Sequence, residues 1–194
     1  TDENGQVMRY EYDGAGRLVR IWSPYDTTMP AVAYGYDHGA FPWTATTTNK
    51  LLYDGSDTQA IRTLISVDGL GRALQTAKDG EYRDIEGNRH YGWNASGAVA
   101  YDAKGRGVSQ GQPQFLESPG LPGLAPMSKP TTTTYDALDR AIVQTLPDGA
   151  TMRTDYLVEG TRLVVRSTDP LGDMGEREMD NRGNVVAVRR LSAE

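Results

Sequence analysis

Polar and apolar residues alternate along much of the chain, as in a β-strand with one covered and one exposed face. Near the N-terminus, Met8, Tyr10 and Tyr12 fall on one side of such a strand. Arg9 and Glu11 fall on the other side. No segment repeats its apolar residues with the period of a helix. The alternation therefore predicts an all-β fold.

From Thr131 onward, turn residues interrupt the alternation at regular intervals. Short strands at regular spacing are typical of an antiparallel meander, in which each strand pairs with the strand before it. The predicted strands of this meander cover 131–135, 140–146, 150–158, 161–168, 175–179 and 184–191.

The N-terminal half is predicted to form smaller antiparallel hairpins. Residues 57–64 could form a short helix instead of the start of a strand. The predicted elements are a hairpin over 6–22, a turn-rich segment over 24–42, strands over 43–53 and 59–67, and short hairpins over 74–101. The predicted turns are Tyr53-Asp54-Gly55, Asp79-Gly80, Glu86-Gly87-Asn88 and Ser96-Gly97.

Prolines are concentrated in residues 110–130, which carry five of the ten prolines in the chain. Proline lacks the N–H group that a central strand donates, so this stretch is predicted to be a loop or linker. An extended ligand for a partner protein is the alternative. The expected organisation is a hairpin region over 1–109, this loop or linker, and a meander over 131–194. Together they are expected to form one continuous repeat domain excised from a longer chain.

One short motif recurs, with uneven spacing, at several predicted turns. It consists of a large residue, Asp, two free positions, Gly, Arg, one free position and an aliphatic residue. The Asp can accept backbone hydrogen bonds two residues on, and the Gly supplies the positive φ of a tight hairpin. The uneven spacing indicates a repeat with insertions, so an open solenoid of identical units is not required. The copies are carried by Tyr12, Asp13, Gly16 and Arg17; by Asp68, Gly71 and Arg72; by Tyr101, Asp102, Gly105 and Arg106; by Tyr135, Asp136, Asp139 and Arg140; and by Asp180 and Gly183.

Some copies depart from the motif. Val67 and Met179 stand in place of the Tyr, Asn184 in place of the Arg, and Asp139 in place of the Gly. Asp is among the few residues that tolerate the left-handed conformation, so Asp139 is compatible with the same turn. The motif Arg is expected to pair with a carboxylate, to stack on a neighbouring Tyr, or to remain solvated.

The repeated Tyr-Asp-x-x-Gly-Arg pattern resembles the YD repeat of the Rhs family, which includes bacterial polymorphic toxins, toxin-complex B components and, distantly, teneurins. The stretches Val67–Thr76 and Thr134–Arg140 look most similar to bacterial toxin-complex members, and Leu146–Gly149 adds to the likeness. The resemblance extends from about Tyr10 to Val188 and is weakest between 107 and 129.

The resemblance implies β-hairpins wound into a curved sheet, as a segment of a cocoon-like shell around a C-terminal toxin or effector. The implied partners are neighbouring repeats, the enclosed toxin domain of the parent chain, and other toxin-complex components. It also implies a secreted or exported protein. The expectation of no enzymatic activity and no cofactor rests on the motifs of the sequence itself.

Composition narrows the possible functions further. The net charge of −6 and pI near 5.0 argue against general nucleic-acid binding, which depends on clustered Lys and Arg. No apolar run approaches the roughly 20 residues of a membrane-spanning helix. The chain has no Cys, which excludes disulfides and thiolate metal sites.

Catalytic signatures are absent from the sequence. His38 and His90 lie in unrelated turn-rich contexts, and neither a zincin nor an α/β-hydrolase motif occurs. Most Asp residues adjoin Gly at predicted turns, so no catalytic, cofactor or metal site is predicted. A carboxylate-pair glycosidase and weak Ca²⁺ binding by the Asp-rich turns remain alternatives.

The aromatic residues leave a further alternative open. Trp43, Trp93 and several tyrosines could form a sugar-stacking platform, although cross-strand packing within the sheet explains them better. The favoured interpretation is a non-catalytic structural segment of an encapsulating shell. The alternative is a stand-alone extracellular β-module that binds carbohydrate or a cell-surface protein.

Overall fold

The computed structural model describes residues 3, 5–51, 59–117 and 120–191. Across these residues all regular structure is β-strand, arranged in two antiparallel sheets of 8 strands each. The predicted all-β class of antiparallel hairpins and meanders is therefore confirmed. Since the described part contains no helix, it contains none long and apolar enough to cross a membrane. The turn predicted at 53–55 lies outside the described residues.

The contacts divide the chain into two units, the first formed by 1–98 and 113–126 and the second by 99–112 and 127–194. The sheet of the first unit is a meander closed by one later strand. Its order is β1 (Arg9–Tyr12), β2 (Leu18–Trp22), β3 (Val32–Asp37), β4 (Trp43–Lys50), β5 (Ala60–Val67), β6 (Ala73–Arg83), β7 (Arg89–Ser96) and β10 (Gln114–Leu116).

The sheet of the second unit is also a meander. Its strands in chain order are β8 (Val99–Tyr101), β9 (Gly107–Gln110), β11 (Thr131–Tyr135), β12 (Ala141–Thr145), β13 (Thr151–Glu159), β14 (Arg162–Thr168), β15 (Met174–Met179) and β16 (Val185–Leu191). The six strands predicted after Thr131 match β11 to β16 to within one residue at either end.

Three elements differ from the predicted ones. Strand β3 occupies part of the segment predicted as turns over 24–42, and β10 lies within the predicted loop over 110–130. Strand β6 runs straight through Asp79-Gly80, so the turn predicted there is wrong. The Asp79 carboxylate accepts bonds from the backbone N–H and guanidinium of Arg62 on β5, at 2.7–3.0 Å, instead of bonding turn amides.

The core of the first unit forms around Trp93, which is fully buried. Leu64, Ala77 and Ala95 pack with it. The partly buried Leu116 and Ala125 pack against this cluster. The Trp93 Nε1–H group donates to the carbonyl of Gly120 at 2.6 Å. The proline-rich stretch, called here the proline-rich strap (residues 113–117 and 120–126), therefore covers the core.

Close backbone approach allows the strap to lie on the sheet. A Cβ at Gly92 would lie only 2.2 Å from the backbone oxygen of Leu116. Beyond β10 the strap is bonded through a side chain of the sheet, since Gln75 Oε1 accepts the Ala125 N–H at 2.8 Å. Glycine at position 92 and a polar side chain at 75 thus accommodate a segment too rich in proline for regular pairing.

In the second unit both faces of β14 are partly covered. The adjacent residues Val164 and Val165 point to opposite faces and are 1% and 8% exposed. The buried positions lie at the middle of the strand, where β13 and β15 flank it.

Candidate functional site

The repeated hairpin loop has a fixed set of hydrogen bonds, seen first at residues 13–17. The Asp13 N–H donates to Arg17 O at 2.9 Å, and the Gly16 N–H donates to Asp13 O at 3.0 Å. Asp13 Oδ1 also accepts the N–H groups of Ala15 and Arg17, both at 2.9 Å. Gly16 has φ +78°. This is a type I turn followed by a left-handed residue, the geometry of a hairpin with a bulge.

The same pair of backbone bonds closes further loops. The loops with Asp in first position are 13–17, 68–72, 84–88, 102–106, 136–140, 169–173 and 180–184, and the loop 146–150 has Leu146 there instead. In each of the five predicted copies the strand register shifts by one residue directly before the Asp. The motif is thus one structural unit, called here the Asp-locked hairpin.

Three of these loops were predicted as turns but not as copies of the motif. The loops at 84, 146 and 169 lack Arg in fifth position and carry Asn88, Ala150 and Asp173 there. The Asn88 side chain donates to Asp84 Oδ2 at 2.9 Å, as the Asn184 side chain does to Asp180 at 3.0 Å. Asp-x-x-Gly alone would have been the signal for the loops at 84 and 169.

In the four copies that carry Arg, its guanidinium binds the Asp of its own loop. Arg17, Arg72, Arg106 and Arg140 each donate Nε–H to the Oδ2 of that Asp at 2.7 Å. The geometry repeats from copy to copy because the loop backbone is the same. Of the three alternatives expected for the motif Arg, pairing with a carboxylate is therefore found in all four copies.

Three of these arginines also stack on a tyrosine from another strand. The centroid distances are 4.6 Å for Arg17 over Tyr36, 4.7 Å for Arg106 over Tyr135 and 4.1 Å for Arg140 over Tyr156. A cation over a tyrosine face is an attractive arrangement. In these three copies, pairing and stacking, which the sequence left as alternatives, occur together.

The stacked tyrosine also bonds the backbone of the hairpin it covers. The Tyr135 hydroxyl donates to Gly107 O at 2.8 Å, and the Tyr36 hydroxyl to Leu18 O at 3.1 Å. In both cases the acceptor directly follows the stacked Arg. Tyr135 is the motif tyrosine of the next copy, so the two Asp-locked hairpins at 102–106 and 136–140 lie side by side and are held together by this residue. Tyr12, which opens the first copy, is exposed.

Asp139, which replaces the motif Gly, has a role of its own. It adopts the left-handed conformation at φ 63°, as the turn requires. Its Oδ1 accepts bonds from Lys104 Nζ at 3.0 Å and Arg106 Nη1 at 2.6 Å. The departure from the motif therefore links the loops 102–106 and 136–140.

The loop carboxylates are held in the charged form. The backbone N–H of the fifth loop residue is the largest cause that lowers the pKa of Asp13, Asp68, Asp102 and Asp136. For Asp180 the largest cause is the Asn184 side chain. Donors that bond the ionised carboxylate favour it, so these groups stay charged well into the acid range.

A second charged arrangement crosses the sheet of the second unit. Asp155, Arg166, Glu176 and Arg189 lie directly opposite one another on four neighbouring strands, β13 to β16. Arg166 Nε bonds Glu176 at 2.8 Å. Two residues along β15, the buried Glu178 accepts bonds from Arg162 and Arg189 at 2.6 and 2.5 Å. The charges on this face are largely paired with one another.

The structure places the Trp and His residues of the alternative functions in separate surroundings. Trp93 is buried and cannot belong to a sugar-stacking platform, while Trp43 is 38% exposed. His38 lies 3.3 Å from Arg17, and His90 lies between Asp84 and Glu117. Over the described ranges, no group of three or more His, Cys, Asp or Glu residues is arranged to hold a metal ion.

An antiparallel meander of interlocked Asp-locked hairpins is the class of structure that these observations define. Solved Tc toxin structures share this fold. The crystal structure of TcdB2-TccC3-Cdc42 matches with a TM-score of 0.73 and 17% identity, over 98% of this chain and 14% of that chain. The crystal structure of TcdB2-TccC3-TEV matches with a TM-score of 0.70 and 17% identity, over 99% of this chain and 14% of that chain.

A Photorhabdus luminescens Tc holotoxin pore with a substituted TccC3 also matches, with a TM-score of 0.59 and 22% identity. That match covers 80% of this chain and 9% of the pore chain. No protein-family model and no curated protein matches the sequence. The chain therefore has the fold of a small part of much longer Tc toxin chains.

Proposed function

We propose that this chain is a non-catalytic structural segment of a secreted Rhs/YD-repeat shell that encloses a C-terminal toxin or effector for delivery. The observation that carries the proposal is the likeness in fold to TcdB2-TccC3 over 98% of the chain. The repeated Asp-locked hairpin supports it, because the YD motif that resembles the Rhs family is the residue set that forms the lock.

The hairpins suit a wall because each lock is local and each junction is repeated. Each Asp-locked hairpin fixes the turn between its two strands. A tyrosine from another strand can then bind that hairpin, as Tyr135 binds the preceding hairpin. A wall of this kind can be lengthened by adding copies without a new core. Repetition with nearest-neighbour contacts is the usual basis of stability in repeat proteins.

The paired charges suit a surface that encloses without binding tightly. On the Asp155 face of the second unit, the Arg and Glu side chains already have partners in their own sheet, such as Arg166 with Glu176. A cargo chain would have to break these pairs to bind them. Because breaking these pairs costs free energy, the face is better suited to enclosing a cargo chain than to binding it specifically.

The partners in this proposal are neighbouring repeats of the parent chain, the enclosed domain, and other toxin-complex components. Strand β16 is at the end of its sheet, and its Val185 and Val188 are exposed. An uncovered edge strand of this kind is a site for pairing with a further strand. A neighbouring repeat of the parent chain would fill it.

The test uses the natural protein that carries this segment at full length. Limited proteolysis is followed over time, and the C-terminal domain is tracked by mass spectrometry and compared with the same domain expressed alone. Enclosure predicts that the domain is cleaved much more slowly within the full chain. Equal cleavage rates, or the absence of any further domain in the natural protein, would refute the shell.

The non-catalytic part of the proposal has a separate test. The purified chain is screened against broad glycoside and ester substrates at several pH values. We expect no turnover, because many of the Asp carboxylates, such as those of Asp13, Asp68 and Asp102, are already bonded within the hairpin loops. Reproducible, pH-dependent hydrolysis would show that the chain is an enzyme.

A further inference from the structure

His90 lies between two carboxylates from different parts of the first unit. Its Nε2 is 3.1 Å from Oδ2 of Asp84, in the loop between β6 and β7. Its Nδ1 is 2.8 Å from Oε1 of Glu117, the strap residue that directly follows β10. A neutral imidazole has one N–H and can donate to only one of these carboxylates, whereas the protonated ring donates to both. The geometry therefore fits the charged form.

The aromatic contacts of His90 lead to the same strap. The His90 ring stacks on Tyr82 of β6, with centroids 4.7 Å apart and planes at 9°. Tyr82 meets the ring of Phe115 on β10 edge-on at 4.9 Å. One side chain is thus connected to the start of the proline-rich strap by an ion pair and by a row of rings.

The described residues of the strap also meet the sheet at points other than His90. Strand β10 pairs with β7 over three residues only, from Gln114 to Leu116. Beyond Glu117, the Trp93 Nε1–H group donates to Gly120 O, and the Ala125 N–H donates to Gln75 Oε1. The contacts of His90 therefore act together with these bonds to hold the strap on the sheet.

We propose that His90 is a pH-sensitive latch, which holds the proline-rich strap over the Trp93 core when it is protonated and loosens the strap when it is neutral. The latch goes beyond the proposed enclosing function and does not depend on it. Its consequence is that the covered face around Trp93 becomes accessible as the pH rises.

The sign follows from the groups that face the ring, which are Tyr82 from β6, Asp84 from the loop and Glu117 from the strap. Pairing with Glu117, and then with Asp84, raises the pKa of His90 above its ordinary 6.5. A raised pKa in the folded state means that the stabilisation is complete below about pH 6.5 and is lost as the pH rises through the higher value. The pKa of Asp84 is lowered, by the Asn88 side chain and then by His90, so Asp84 stays charged throughout.

Amide hydrogen exchange of the intact chain tests the latch. The Ala125 N–H reports on the strap because it bonds Gln75 across to the sheet. Its exchange, corrected for the intrinsic rate, is measured between about pH 6 and about pH 9. We expect opening to increase with pH by about tenfold for each pKa unit that strap closure adds to His90. The midpoint should equal that of the His90 ring resonance, which is resolvable because the chain has only two histidines.

Three variants separate the latch from general destabilisation. His90→Gln should make Ala125 exchange independent of pH, and His38→Gln, at the other histidine, should leave the dependence unchanged. Glu117→Gln keeps the Asp84 contact, so it should weaken the pH dependence and lower the His90 midpoint. A wild-type rate that does not change beyond the intrinsic effect, or a dependence that survives His90→Gln, overturns the proposal. If His90→Gln does not fold, an unchanged pH dependence in Glu117→Gln overturns it.

Discussion

Single residues decide the turn geometry of the Asp-locked hairpin. Gly16 and Gly71 both have φ +78°, where a side chain would be strained whatever space surrounds it. Gly69, in the same loop as Gly71, has no positive φ and open space around its Cβ position. The loop 84–88 carries Ile85 at the position equivalent to Gly69, so a β-branched residue is tolerated there.

We therefore expect Gly71→Val, and likewise Gly16→Val, to lower the free energy of unfolding by roughly 1–2 kcal/mol. The matched control is Gly69→Val, which should change it by far less. Urea unfolding of the three variants and the wild type measures the difference. Equal loss in Gly71→Val and Gly69→Val would mean that left-handed strain is not what fixes the turn.

At the residue scale the sequence predicted the Asp-locked turn but not the tyrosines that stack on its Arg. Asp, Gly and Arg were assigned correctly to a hairpin turn because their bonds lie within five consecutive residues. The partners of the same Arg could not be predicted, since Tyr36 and Tyr156 come from other strands. Even Tyr135, a member of the motif, acts on the preceding copy and not on its own.

At the scale of elements, one buried ion pair joins the β2–β3 connection to the end of β4. Lys50 Nζ lies 3.1 Å from Asp26 Oδ1, and the two side chains are 0% and 1% exposed. Asp26 also accepts the Ser23 N–H at 2.6 Å. Asp26 thus has two partners, Lys50 and Ser23, and the buried Lys50 Nζ is paired with Asp26.

Removing either partner should lower the free energy of unfolding, and the loss should differ between the two variants. Asp26→Ala leaves a buried ammonium and an unpaired N–H, so we expect a loss of about 3–5 kcal/mol. Lys50→Met leaves Asp26 bonded to Ser23 and should cost less. A double-mutant cycle by urea unfolding measures the coupling, which should be well above the error of additivity. Additive single effects would show that the pair is not coupled.

The strap depends on a close approach between two strands. Gly92→Ala would place a Cβ 2.2 Å from the Leu116 backbone oxygen, and a backbone atom cannot rotate away. We expect β10 to be displaced and the free energy of unfolding to fall by about 1–3 kcal/mol relative to the wild type. Gly35→Ala, on β3, is the matched control, because its nearest contact is Thr46 Cβ at 3.8 Å.

Hydrogen exchange at Ala125 distinguishes displacement of the strap from a general loss of stability. In Gly92→Ala its protection should fall more than that of amides in β4 and β5, whereas Gly35→Ala should not single out the strap. A uniform change in Gly92→Ala would indicate that the strap is not held by close approach at this glycine.

Element prediction succeeded where the signal was local and failed where a distant partner decided the outcome. The strands after Thr131 follow alternation and turn residues, and they were predicted almost to the residue. Asp79-Gly80 has the composition of a turn, yet Arg62 on the neighbouring strand takes up the carboxylate and β6 continues. The short strand β10 likewise forms because it pairs with β7 and packs against the Trp93 core.

At the scale of the whole molecule, the repetition of one carboxylate lock makes stability depend on acid pH. The pKa of the loop carboxylates is lowered from an ordinary value of 3.8, in copies distributed along the chain. A lowered folded-state pKa contributes stability that is present above about pH 3.8 and is lost as the pH falls through the lower folded values. The copies should lose this contribution together.

We therefore expect the free energy of unfolding to change little between about pH 7 and about pH 5 and to fall steeply below about pH 4. Urea unfolding across this range measures it. Charge repulsion among the 20 Lys and Arg residues is the competing cause at low pH. Roughly 1 M salt would suppress repulsion, because the Debye length is then about 3 Å, but it would not restore a protonated carboxylate as an acceptor. A steep fall that persists in salt supports the repeated lock, whereas full recovery in salt would assign the acid sensitivity to net charge.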